Sequence, residues 1–142
     1  MPDSTSLSIT GSEKLLSLLV TALANATLHL YKYGSLAPTP TTPEGDFVLA
    51  ECDFDGYAPI TIATYPPPFL LGSGWAIETQ QRFNFDSGSP LSGGNQVGGW
   101  WLELADTTLI EYGTFENGRP AQADGQAVFV TAVLPIAAQQ LL

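Results

Sequence analysis

Trp100-Trp101-Leu102-Glu103-Leu104, then Ala105-Asp106-Thr107-Thr108, then Leu109-Ile110-Glu111-Tyr112-Gly113-Thr114-Phe115: two aromatic-rich runs around a short polar turn decide the fold class of this chain. Aromatic and β-branched side chains suit a pleated, half-buried surface, and a turn this short joins only antiparallel neighbours. The stretch predicts an antiparallel hairpin. Downstream, Glu116 to Gly125 carries two turn signals, Asn117-Gly118 and Asp124-Gly125. In Gln126 to Leu134, Val128, Val130 and Ala132 oppose Ala127, Phe129, Thr131 and Val133. That run is apolar on both faces and is expected near the centre of the core.

Upstream, Asp86 to Gly99 is dominated by Gly, Ser and Asn and reads as loop. Trp75 to Phe85 reads as a strand with a polar middle, placing it half-exposed or at an interface. Pro66-Pro67-Pro68 is a stiff segment, and Pro59 to Tyr65 alternates as a strand. Asp55-Gly56 signals a turn, and Phe47 to Phe54 is expected to hold a helical turn, with a short strand as the alternative. Three prolines in Pro38 to Pro43 forbid a central strand there. Leu28 and Leu30 point one way on the first strand, with His29, Tyr31 and Tyr33 on the other face. Before it, Thr10-Gly11-Ser12-Glu13 reads as a capping box opening a helix that ends near Asn25. Leu15, Leu16, Leu19 and Leu23 form its apolar face, expected to cover one end of a sheet.

About six short strands, long loops and one helix make a mainly β chain. The expected fold is an antiparallel β-sandwich or jelly-roll-like domain with one N-terminal amphipathic helix. Residues 1–10 are expected to form a flexible N-terminal arm and residues 11–142 a single domain. A length of 142 residues suits one core.

Fourteen acidic against 4 basic residues give a net charge of -10, which repels phosphate backbones and anionic membranes. Neither nucleic acid nor membrane is an expected partner. No apolar run approaches the roughly 20 residues of a spanning helix, and Met1 to Thr10 lacks the cationic and apolar blocks of a secretory signal. Folding and assembly in a cytoplasm are the expectation. The lone Cys52, between Glu51 and Asp53, makes no internal disulfide and reads as an inert, half-buried thiol.

Little material exists for catalysis. Glu44, Asp46, Glu51, Asp53 and Asp55 cluster near a turn, but Asp53-Phe54-Asp55-Gly56 lacks the closing Glu of a calcium loop, so a solvated acidic turn is the expectation. Glu103 and Glu111 are a carboxylate pair that could face each other across the hairpin, the arrangement a glycosidase needs, yet any acidic β domain supplies one by chance. His29 has no nucleophile motif beside it and is expected to fill a structural role. Trp75, Trp100, Trp101, Tyr31 and Tyr112 are the candidate interaction residues, as core, subunit interface or a stacking platform for sugars with Gln80, Gln81 and Asn84. No catalytic, cofactor-binding or metal-ligating residue is assigned, and no cofactor is expected.

Ser12-Glu13-Lys14-Leu15-Leu16, then Ala26-Thr27-Leu28-His29-Leu30-Tyr31, then a Pro/Thr loop, then Leu49-Ala50-Glu51-Cys52-Asp53-Phe54-Asp55-Gly56-Tyr57 follow one another between Gly11 and Ile62. This first half resembles small structural proteins of tailed bacteriophages, in which a helix precedes a strand of the type xLxLY and an acidic turn ends in Gly-Tyr. The resemblance implies a virion component without enzymatic activity. A capsid decoration or cement subunit is the first expectation, with a tail or receptor-binding accessory and a carbohydrate-binding module as alternatives. Its expected partners are its own copies, as a homo-oligomer such as a trimer, and other virion proteins such as the major capsid protein. Folding in a reducing cytoplasm without disulfides suits such a subunit.

Overall fold

A computed structural model describes residues 8–54, 56–71, 74–84, 96–120 and 127–136. Helix α1 (Ile9–Leu23) is capped by Ser8, whose Oγ accepts the Gly11 N–H at 2.9 Å. The helix therefore begins before the Thr10 box, and residues 9–10 belong to it rather than to an arm. The expected box fails because Thr10 already lies inside the helix and so cannot be its N-cap; Ser12 is turned inward and buried. The buried face runs through Ser12, Leu16 and Leu23, with Leu19 and Val20 packed beside them. Leu15 and Leu18 are 40% and 54% exposed, so Leu15 leaves the expected apolar face.

After α1 come β1 (Ala26–Lys32), α2 (Glu44–Leu49), β2 (Ile60–Ile62), β3 (Phe69–Leu71), β4 (Gly74–Asn84), β5 (Gln96–Glu103), β6 (Leu109–Pro120) and β7 (Ala127–Ile136). They form two antiparallel sheets, ordered β2-β1-β5-β6 and β3-β4-β7. The sandwich-like, mainly β architecture with an N-terminal helix is as expected. Leu28, Leu30, Val97, Trp100 and Leu102 from the first sheet meet Ile77, Phe83, Val128, Val130, Ala132 and Leu134 from the second, with Leu16 and Leu23 closing one end. Burying this apolar surface is the main favourable contribution to the fold.

Three expectations are corrected. The segment Gln96–Gly99 is strand, not loop. It tolerates glycines there because the Tyr31 ring lies across the strand: a Cβ on Gly99 would collide with the Tyr31 hydroxyl and the Gly113 carbonyl. Asn117-Gly118 lies inside β6 and makes no hairpin turn; Gly118, at φ 67°, sits where the ladder to β5 shifts register between Val97 and Gly99. The Asp124-Gly125 turn signal and residues 86–95 lie outside the described residues. Finally, β7 is an edge strand. Its apolar pattern does not make it central, because among the described residues β4 alone pairs with it, and the strands buried on both faces are β1 and β5.

Candidate functional site

Alternation on β1 sends Leu28 and Leu30 into the space between the sheets, so His29 and Tyr31 emerge on the opposite face of the first sheet. In a simple sandwich that face would be wet. Here α2 lies over it and inserts Phe47, fully buried, among Tyr31, Trp101 and Tyr112, with ring centroids 5.8, 5.4 and 5.8 Å away. Glu44 and Asp46 in the first turn of α2 suit the positive end of its backbone dipole. Cys52 N–H donates to the Leu30 carbonyl at 2.9 Å and Lys32 N–H to the Ala50 carbonyl at 2.8 Å, which lays Glu51 alongside β1.

His29 therefore sits between two carboxylates. Its Nδ1 lies 2.6 Å from Glu51 Oε2, and its Nε2 lies 2.9 Å from Glu103 Oε1. Ionised carboxylates only accept, so with both ionised each ring nitrogen must carry a proton. The Trp101 ring is stacked on the imidazole, and its Nε1–H points to Glu103 Oε2 at 3.4 Å. The Tyr57 hydroxyl donates to Glu51 Oε2 at 2.7 Å and accepts the Leu30 N–H at 3.1 Å. Among the described residues no buried side-chain nitrogen or oxygen lacks a partner.

Burial pushes the Glu51 carboxyl up, but the bonds from His29 and Tyr57, with the charge of His29, outweigh it and hold the group below its usual range. Burial and a hydrogen bond with Glu103 push the Glu44 carboxyl up. The Tyr57 phenol and the Cys52 thiol are pushed up chiefly by burial, and Cys52 is buried rather than half-buried. Chemically the cluster is closed. Neither imidazole nitrogen is available to a substrate, and the ring face is covered by Trp101.

His29, expected from the sequence to fill a structural role, is hydrogen-bonded at both ring nitrogens and stacked on Trp101. Glu103 and Glu111 do not face each other: the register pairs Leu102 with Glu111 and Glu103 with Leu109. Glu111 shares the inter-sheet side with Leu102, where burial pushes its carboxyl up to about 7. The acidic group near α2 is dispersed among other partners, Glu51 on His29, Asp53 on Lys32 at 3.0 Å, and Glu44 towards Glu103; Asp55 is outside the described residues.

Of the five candidate interaction residues, Tyr31, Trp101 and Tyr112 come together under α2, whereas Trp100 is buried between the sheets and Trp75 is half-buried beside α1. Trp100 and Trp101 offer no face to solvent. Gln80 and Gln81 line a different cleft of about 690 Å³ with Tyr65, Phe69, Glu78 and Thr79. Of the residues central to the cluster, Phe47 carries no signal of its own in the sequence, and Tyr57 enters there only as the end of the acidic turn. The Phe47 to Phe54 pattern hinted only at a helical turn, and which sheet face that turn covers is not encoded in its spacing.

No helix among the described residues is long and apolar enough to cross a membrane. Compared with known proteins, the chain matches no family model, no curated protein and no solved structure.

Proposed function

We propose that this chain is a non-enzymatic structural protein of a bacteriophage virion, a decoration or cement subunit of the capsid that assembles as a homo-oligomer with the major capsid protein as its partner. The observation carrying this reading is the closed cluster around His29. The only imidazole of the chain is held at both nitrogens and stacked on Trp101, so it ties β1 to β5 and to the segment after α2 and braces that wall of the domain. The segments that carry the resemblance to phage proteins supply one side of this brace, the Leu28-His29-Leu30-Tyr31 strand, Glu51, and Tyr57 after the acidic turn, while Trp101 and Glu103 of β5 supply the other. A domain stiffened by internal packing and without a disulfide suits a subunit folded in a cytoplasm that must later endure outside it.

A second reading, a receptor-binding accessory or carbohydrate-binding module, draws on the cleft at Tyr65, Phe69, Gln80 and Gln81, where aromatic and amide side chains meet. Mass spectrometry of purified virions, with gold-labelled antibody in electron micrographs, tests the first. Label over the head supports a decoration subunit, and label at the tail tip moves the chain to the accessory reading. Absence from virions, with binding to a neutral glycan that Gln81→Ala abolishes, replaces both by the carbohydrate module.

A further inference from the structure

We propose that the outer edge of β7 is the self-association surface of this protein, pairing antiparallel with β7 of a second copy about a two-fold axis at Thr131. The inference deepens, and rests on, the reading of the chain as an assembling subunit. β7 pairs with β4 along its whole length, Trp75 with Ile136 through Asn84 with Ala127, and among the described residues no strand pairs with its other edge. In an antiparallel ladder, residues alternate between those that exchange backbone bonds with the neighbour and those whose N–H and C=O point away. Pro135, opposite Ala76, has no N–H to exchange, and the Phe129 carbonyl accepts from Arg119 Nη1 at 2.7 Å. Both facts put the odd-numbered residues Ala127, Phe129, Thr131, Val133 and Pro135 in the outward set.

Pro135 and the Arg119 guanidinium on the Phe129 carbonyl blunt this edge at two points, and among the described residues the rest of it has no strand partner. The strand, AVFVTAVLPI, is 10 residues long, holds no charged side chain, and presents Phe129 at 59% exposure. Charge selects the occupant. Two subunits of charge -10 repel each other over most of their surface, yet two of the four cations of the chain flank this edge: Arg82 lies 5.6 Å from the Phe129 ring centroid, and Arg119 holds the Phe129 carbonyl. This is where a second acidic copy approaches against least repulsion. The outward set is also symmetric about Thr131. Pairing there matches Phe129 with Val133 and Ala127 with Pro135 of the other copy, and joins the two three-stranded sheets into one continuous sheet. Arg119 releases the Phe129 carbonyl as the partner strand arrives.

Light scattering and sedimentation of the intact chain over a range of concentrations test the surface. The wild type is expected as a dimer or a multiple of it. Thr131→Pro removes an outward N–H that the β4 ladder does not use, and should weaken association at least tenfold, whereas Thr131→Ala keeps it. Because the proline variant can fail to fold, Thr131→Cys provides a second reading. Native Cys52 is buried, so oxidation should give a disulfide-linked dimer from Thr131→Cys and none from Thr21→Cys on the exposed side of α1. A monomeric wild type at high concentration, association indifferent to Thr131→Pro, or a folded Thr131→Cys that does not cross-link overturns the proposal. A chain found on virions that fails these tests loses only this interface, and a chain cross-linked at position 131 but absent from virions loses only the virion reading.

Discussion

Trp101 lies flat on His29, ring centroids 4.4 Å apart and planes 6° from parallel, while the same indole points its N–H at the carboxylate that holds the imidazole. Ring face, ring edge and acid are thus one unit, and removing any member leaves another without its partner.

The first consequence concerns Glu103. As an exposed acid it would be dispensable, but it is buried and accepts from both His29 and Trp101 on separate oxygens. Glu103→Gln keeps the shape yet offers only one acceptor oxygen, so one of the two donors faces an amide NH₂. The expected loss is about 1–3 kcal/mol in a thermal or urea melt. An unchanged melt would show that the two bonds contribute nothing net.

Glu51 and Glu111 set opposite slopes of stability against pH. The Glu51 carboxyl is held low in the fold, so its contribution is present above the unfolded value and is lost as pH falls through the folded one. The Glu111 carboxyl is raised to about 7, so stability falls as pH climbs from the ordinary carboxyl range towards 7. Melting temperature against pH should rise on leaving acid and then decline towards neutrality. Glu51→Gln should flatten the acid limb and Glu111→Gln the upper one, and a wild-type curve level from pH 4.5 to 7 would refute the second assignment.

Among the leucines of α1, burial orders the outcomes. Leu16→Ala and Leu23→Ala should each cost about 2–5 kcal/mol, whereas Leu18→Ala should stay within about 0.5 kcal/mol of wild type. Chemical denaturation of the three variants checks the order. Equal losses at all three positions would mean that the exposed side of the helix is covered in solution.

Gly99→Ala should destabilise by about 1–3 kcal/mol despite the better strand propensity of alanine, because the added methyl meets the Gly113 carbonyl and the Tyr31 hydroxyl. Pairing it with Tyr31→Phe removes the hydroxyl but leaves the ring carbon Cζ in the way, so little of the loss should return, whereas Tyr31→Ala clears the ring and makes the two changes non-additive. Strict additivity of Gly99→Ala and Tyr31→Ala would place the clash on the Gly113 backbone alone.

By itself the sequence determined whatever depends on neighbours along the chain. Period-two alternation around Leu28, Ile60 and Trp75, the proline breaks at Pro38 to Pro43 and Pro66 to Pro68, and the Trp100 to Phe115 hairpin follow from local sterics and short turns, and they suffice for a mainly β sandwich with an amphipathic helix in front. Only the tertiary structure decided what each face meets. An apolar run such as Val128 to Leu134 is equally compatible with a central strand and an edge, because strand order is set by contacts distant in sequence. Likewise Glu51, Glu103 and Trp101 converge on His29 because α2 covers the second face of the first sheet and the Ala50–Cys52 backbone pairs with β1. Those bonds join residues up to 74 positions apart, a separation at which no spacing rule along the chain carries information.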